Sequence, residues 1–202
     1  MKRIVIVAGA IWACLTPACA QDKVDQAKVD KVYADMFKGA KGVWAERLKQ
    51  DETQMVCSKY HNQPPAAEEK KILARETATI KYPADGNLMG DWKAGEKIAQ
   101  SGFGGRFNDK PATVNGGNCY ACHQLSRQEL SFGTLGPSLL EYGKIRHYAE
   151  ADKKAAFAKI YNPQAVFPCS SMPRFGHNKV LSEQQIKDLV ALLFDPESPV
   201  NK

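Results

Sequence analysis

The residues with the clearest chemistry in this sequence are two cysteines and a histidine in the stretch "NCYACHQ". Cys119, Cys122 and His123 form a C-x-x-C-H pattern. Two thiols three positions apart, followed directly by an imidazole, suit a zinc site, a redox-active dithiol or covalent attachment of a haem. The rest of the sequence distinguishes these three chemistries.

A structural zinc site uses four ligands, usually with a second pair of Cys or His residues, and the other candidate ligands here are scattered singly. A thioredoxin-like dithiol begins a helix after a strand, and no strand pattern precedes Cys119. In C-x-x-C-H, both thiols add to haem vinyl groups and the histidine ligates the iron. The motif therefore predicts one covalently bound haem c, held by Cys119, Cys122 and His123.

The ligand on the other face of the iron is less directly indicated. Met172 lies in "FPCSSMPRFGHN", an irregular loop just ahead of the last predicted helix, where it can fold over the haem. A methionine thioether stabilises the reduced iron and occupies the position where a small substrate would bind. The residues alone leave His177, Cys169, His147 and an open site as alternatives.

The segment "GTLGPSLL", which follows the motif, suits a turn on the His123 side of the haem. Carbonyl groups around Pro137 are expected to orient the imidazole of His123. An ordinary Gly-Pro loop is the alternative.

The first 20 residues have the pattern of a secretory signal peptide. Lys2 and Arg3 precede an apolar run that is too short to span a bilayer, and small residues lead to predicted cleavage near Ala20. We expect the mature protein in the periplasm. A lipoprotein acylated at Cys19 is the alternative, although Thr16 and Pro17 stand where a leucine and a small residue are usual.

Charge and composition exclude several functional classes of protein. Removing Lys2 and Arg3 lowers the formal charge from +6 by two, to +4, and the chain has no basic block, so nucleic-acid binding has no support. An apolar fraction of 44% without a later membrane-spanning run predicts a soluble globular protein with no stable membrane insertion.

Two cysteines remain after those of the haem motif and the signal peptide are set aside. Cys57 and Cys169 are expected to form a disulfide in an oxidising compartment. The alternatives are a Cys169 thiolate that replaces Met172 on the iron, or a reactive thiol that faces a partner.

Helical patterns dominate the chain, so the predicted class is mostly α. We expect a first helix with an apolar stripe, a second helix after Pro64 and Pro65, a short helix capped by Asp91 and a final helix that begins with a capping box. The stripe consists of Val29, Val32, Tyr33, Met36 and Phe37. The predicted organisation is a signal peptide (1–20), a helical N-terminal extension (21–83) and a haem domain (84–202).

Several segments together resemble the SoxX family, the monohaem subunits of SoxAX thiosulfate-oxidising complexes. They are "GGNCYACHQ", "GTLGPSLLEYGK", "YNPQ", "PCSSMPRFGHN" and "LVALLFDPESPVN". The resemblance implies a class I cytochrome c domain, with thioether bonds at Cys119 and Cys122 and axial ligation by His123 and Met172. It also implies a SoxA partner whose haem catalyses oxidative coupling of thiosulfate to a cysteine of the SoxYZ carrier (L-cysteine S-thiosulfotransferase activity). A downstream cytochrome would then accept the electrons.

Three functions are consistent with these observations: the electron-transfer subunit of such a complex, a free periplasmic class I cytochrome c, and a peroxidase or gas sensor with an open iron site. The extension of residues 21–83 favours the first, because an appendage with its own apolar stripe needs a surface to cover. A layer packed on the haem domain alone is the simpler explanation of that extension.

Overall fold

The computed structural model of the chain describes residues 25–106, 109–110 and 112–202, except for the side chain of Val43. The predicted signal peptide lies outside these ranges. The helices in them are α1 (Gln26–Met36), α2 (Val43–Arg47), α3 (Glu52–Lys59), α4 (Ala66–Thr77), α5 (Trp92–Gln100), α6 (Tyr142–Ile145), α7 (Glu150–Tyr161) and α8 (Glu183–Phe194). Short 3₁₀ turns cover Cys119–Ala121, Pro163–Ala165 and Pro199–Asn201. None of these ranges contains a strand, so the mostly α class is confirmed.

The chain divides into two compact units, Met1–Glu46 and Arg47–Lys202. In the first unit, the carboxylate of Asp25 caps α1 by accepting a hydrogen bond from the amide of Lys28. The helix carries the predicted apolar stripe, but no residue of α1 is buried. The stripe side chains are 40% to 71% exposed.

The second unit is built around α8. The predicted capping box is confirmed: the Ser182 hydroxyl accepts a hydrogen bond from the Gln185 amide, and the Gln185 side chain accepts one from the Ser182 amide. All nine residues from Ile186 to Phe194 are buried. Because the whole circumference of this helix is covered, α8 is the centre of the core rather than a surface helix with one apolar face.

Helix α5 crosses α8 at Gly95. A β-carbon on Gly95 would lie 2.1 Å from the carbonyl oxygen of Asp188 and 3.1 Å from Cβ of Leu192. Glycine therefore permits backbone-to-backbone contact between the two helices. From the sequence, Leu189 and Val190 are expected to pack near Gly95 and Ile98. The atoms nearest to a β-carbon on Gly95 belong to Asp188 and Leu192, the residues on either side of that pair. Asp188 is buried at the crossing because its carboxylate caps the segment before α5, accepting a hydrogen bond from the amide of Asp91.

Helices α3 and α4 belong to the second unit and pack on its remaining part. Helix α4 contacts the Pro163–Ala165 turn that follows α7, and it buries Ile72 and Glu76. The described residues 47–83 therefore form a layer on the part of the chain that carries the cysteine motif. The domain boundary expected after residue 83 stays a prediction, although the compact unit begins at Arg47.

Candidate functional site: a haem c attachment motif and its ligand loop

Cys119 and Cys122 are held in a tight turn. The 3₁₀ turn Cys119–Ala121 follows Asn118, which has a positive φ of 47°, and the carbonyl of Cys119 accepts hydrogen bonds from the amides of Cys122 and His123. Both cysteines are free thiols and half-buried. Burial raises the pKa of the Cys119 thiol to about 12, so that it stays protonated and uncharged at neutral pH. An uncharged thioether suits this environment.

The imidazole of His123 is oriented by the backbone of the Gly-Pro segment. Its Nδ1 lies 2.8 Å from the carbonyl oxygen of Pro137. Since a carbonyl can only accept, Nδ1 carries the proton and Nε2 keeps its lone pair for a metal. The predicted carbonyl near Pro137 is therefore confirmed, and it belongs to Pro137 itself.

Gly136 allows the ring to lie this close to the chain. A β-carbon at Gly136 would be 2.2 Å from Cε1 of His123, and the amide of Gly136 donates to the carbonyl of Cys122. Any larger residue would push the imidazole away. The segment is therefore shaped around a histidine with a fixed orientation, as a metal-ligating imidazole requires.

The predicted axial residue Met172 lies in what we call the ligand loop, residues 162–177. The loop leaves α7 at Asn162 and returns to the end of the same helix, where the amides of Gly176 and His177 donate to the carbonyl of Tyr161. Met172 is half-buried against the main apolar core. Among the described residues, the hydrogen-bond partner of its own amide is the Ser170 hydroxyl, at 3.3 Å.

The three histidines outside the C-x-x-C-H motif differ in their exposure to solvent. His61 and His147 are exposed, as the sequence predicts. His177, the main alternative ligand, is half-buried, and its pKa is lowered by burial and by the positive charge of Arg174. The nearby charges of Glu76 and Asp51 act in the opposite direction.

The predicted disulfide between Cys57 and Cys169 is present. It joins α3 to the ligand loop and packs against Ile72 of α4. With both sulfur atoms in this bond, neither the thiolate ligand nor the reactive thiol considered for Cys169 is available.

A buried polar cluster, which the sequence gave no reason to expect, lies beside the disulfide. We call it the Glu76 cluster: the carboxylate of Glu76 accepts hydrogen bonds from the Thr53 hydroxyl, from the Asn162 amide at 2.8 Å and from Arg174 at 3.3 Å. Arg174 also pairs with Asp51. Burial alone would raise the pKa of Glu76, but its hydrogen bonds to Thr53 and Asn162 and the charge of Arg174 hold that pKa below its ordinary value.

These features fit a covalently held haem. Two free thiols, an imidazole with one free lone pair and a thioether on a separate loop are the donor set of such a group. In the described part of the chain, no cluster of three or more His, Cys, Asp or Glu side chains could hold a metal ion. The residues that the structure describes therefore supply no further ligands for a zinc site at Cys119 and Cys122.

Comparison with known proteins agrees with this geometry. The cytochrome c family matches residues 92–194, from the first residue of α5 to the last of α8. An uncharacterized lipoprotein of Aquifex aeolicus (strain VF5) is 37% identical over 204 aligned residues, covering 97% of this chain and 95% of the relative. No helix among the described residues is long and apolar enough to cross a membrane. The chain thus belongs to the cytochrome c family, with a class I cytochrome c domain, a covalently bound haem c and a role in electron transfer.

Proposed function

We propose that this chain is the electron-transfer subunit of a periplasmic thiosulfate-oxidising complex of the SoxAX type. Cys119 and Cys122 would hold the haem through thioether bonds, and His123 and Met172 would ligate its iron. The observation that carries the ligand assignment is the His123 to Pro137 hydrogen bond, which leaves Nε2 of His123 available to the iron. The assignment of the complex rests on the combined likeness of the haem motif, the Gly-Pro segment, the ligand loop and the last helix to the SoxX family.

The haem supplies a reversible one-electron change of its iron. Around it, the carbonyl of Pro137 fixes the proton of His123 on Nδ1 and increases the donor strength of Nε2. A Met172 thioether on the iron would favour its reduced state and raise the potential compared with a second histidine. With His123 and Met172 both ligating the iron, the haem of this chain would leave no coordination position open to a sulfur substrate.

The chemistry of thiosulfate is therefore assigned to the partner. Oxidative coupling of thiosulfate to a carrier cysteine forms one S–S bond and releases two electrons. In a SoxAX-type complex, the SoxA haem is the site of this coupling and SoxYZ supplies the cysteine. The protein described here would receive the electrons one at a time and pass them to a downstream cytochrome.

One part of the N-terminal extension remains available to a partner. The apolar stripe of α1 is exposed, and exposed apolar stripes on helices commonly mark contact surfaces. We assign this stripe to the contact with the SoxA subunit.

A free periplasmic class I cytochrome c is the second candidate, and one observation favours it. Residues 47–83 do not need a partner to bury their apolar surface, because α3 and α4 already pack on the haem-bearing unit through the disulfide and Ile72. Most of the extension is therefore explained without SoxA, and only residues 21–46 remain as an argument for a complex.

Two alternatives also stand for the processing of the N-terminus, which lies outside the described residues. We propose export to the periplasm with cleavage near Ala20. The description of the Aquifex relative as a lipoprotein supports the alternative, in which Cys19 becomes an acylated N-terminal residue. The mass of the mature N-terminal peptide distinguishes the two: cleavage after Ala20 leaves an unmodified Gln21, and acylation adds the mass of the lipid to Cys19.

The test of the complex is purification of the full-length protein from its native cell envelope under mild conditions. We expect a second haem protein to copurify in equal amount, and the isolated chain to show no turnover of thiosulfate. Recovery of the chain alone, still able to exchange electrons with soluble cytochromes, would support the free carrier. Thiosulfate turnover by the isolated chain would contradict both.

A further inference from the structure

The ligand loop that carries Met172 is anchored by a single buried carboxylate on another helix. Glu76 of α4 contacts Asn162 at the first residue of the loop and Arg174 two residues beyond Met172. It therefore connects both ends of the segment in which the methionine lies. The contacts are long-range, 86 and 98 residues apart in the sequence.

These contacts are protected from water. Glu76 is 3% exposed, Asn162 is fully buried and Arg174 is 7% exposed. A buried carboxylate that loses a hydrogen-bonding partner cannot recover the interaction from solvent, so opening the loop at either end leaves a polar group unsatisfied. The Glu76 cluster therefore resists local opening of the loop more strongly than an exposed ion pair would.

Within the described part of the chain, Met172 has no comparable anchor of its own. Its amide makes one hydrogen bond, to Ser170 within the same loop, and its side chain is only half-buried. Whether a thioether stays on the iron is thus decided by how often the loop opens, because a neutral sulfur is a replaceable ligand.

We propose that Glu76 is a positioning residue for Met172: it keeps the ligand loop closed and so keeps the methionine on the iron. The Cys57–Cys169 disulfide is a second, covalent anchor of the same loop from α3. Residues 47–83 thereby contribute to the electron-transfer site through the ligand loop. This inference rests on the proposed ligation by Met172.

The experiment measures how fast added imidazole replaces Met172 on the ferric iron of the full-length holoprotein, since replacement requires the loop to open. Glu76→Gln keeps the size of the side chain and removes the charge that Arg174 pairs with. We expect replacement to be at least about tenfold faster than in the native protein, as expected for loss of a charged buried hydrogen bond. The weak near-infrared band of the methionine-to-iron bond should also disappear on heating well before the helices unfold.

Glu68→Gln is the matched control. Glu68 lies on the same helix α4, but its ion pair with Lys71 is at the surface, so we expect an unchanged replacement rate. If Glu76→Gln does not fold, Arg174→Lys keeps the positive charge but not the planar group that reaches both Glu76 and Asp51. It should show a smaller acceleration of the same kind.

Each outcome separates this inference from the proposed function. A replacement rate in Glu76→Gln equal to that of Glu68→Gln would overturn the positioning role, even if the variant unfolds at a lower temperature. Persistence of the near-infrared band in Met172→Ala would instead show that Met172 is not the ligand, and the proposed site would be wrong irrespective of Glu76.

Discussion

Nδ1 of His123 lies 2.8 Å from the carbonyl oxygen of Pro137, and the ring is in contact with the backbone of Gly136. One short turn therefore fixes both the proton and the plane of the imidazole. Such outer contacts fix the tautomer and the orientation of a metal-ligating imidazole and raise its basicity.

Replacing Gly136 with alanine tests this relationship. The new β-carbon would be 2.2 Å from Cε1 of His123, so the ring or the turn must move and the Pro137 hydrogen bond must lengthen. We expect a changed reduction potential and a shifted spectrum of the His123-bound haem. Gly39→Ala, where a β-carbon meets nothing within 4 Å, is the control. An unaltered potential in Gly136→Ala would mean that the turn does not hold the imidazole.

The crossing of α5 and α8 gives a second prediction. Gly95→Leu places a side chain where even a β-carbon would lie 2.1 Å from the Asp188 carbonyl. We expect a loss of about 1–3 kcal/mol in the free energy of unfolding, because the two helices must separate. Denaturant unfolding followed by circular dichroism measures it, and a midpoint equal to that of the native protein would show that the helices do not cross there.

The pH dependence of stability should carry the signature of Glu76. Its pKa in the folded protein lies below the ordinary value of 4.5, so its charge stabilises the fold fully above the unfolded-state pKa. That contribution is lost as the pH falls through the lower, folded-state pKa. We expect Glu76→Gln to be less stable than the native protein at pH 7 and to lose less stability between pH 7 and pH 3.

Urea unfolding midpoints at a series of pH values check this prediction. Asp51, whose pKa is also lowered, remains in both proteins and contributes the residual slope. Stability curves that run parallel over the acid range would show that Glu76 does not contribute through its charge.

The disulfide gives a fourth prediction. Alkylation of the native protein without reductant should leave Cys57 and Cys169 unlabelled in mass spectra. The bond closes a sequence separation of 112 residues, so replacing both cysteines with serine should cost up to about 5 kcal/mol in the chain-entropy model. A label on either cysteine in the native protein would contradict the bridge.

Local signals in the sequence predicted the parts of the fold that depend on neighbouring residues. Asp91 and the Ser182–Gln185 box begin their helices as expected, because caps act within three residues. Helix α7 was not predicted. Its buried residues Ala156, Phe157, Ala158 and Ile160 do not follow one helical stripe, since the helix is covered on more than one side.

In the candidate site too, some residues could be predicted from the sequence and others could not. The haem motif, Met172 and the cysteine pair could be selected from the sequence because their chemistry restricts the choices. Glu76 and Arg174 could not, because a charged residue on a helix or a loop is usually solvated and their pairing joins positions 98 residues apart. The residues in closest contact with Gly95, Asp188 and Leu192, could not be selected either, because the exact position of one helix along another depends on backbone contact, which a pattern of apolar residues does not specify.

The central claim is that His123 and Met172 hold a haem c that transfers electrons without binding substrate. The most direct measurement is the near-infrared spectrum of the oxidised full-length protein beside that of Met172→Ala. The account predicts a methionine-to-iron band in the native protein, its loss in the variant, and binding of carbon monoxide by the reduced variant only. A band that survives in Met172→Ala, or carbon monoxide binding by the native protein, would contradict it.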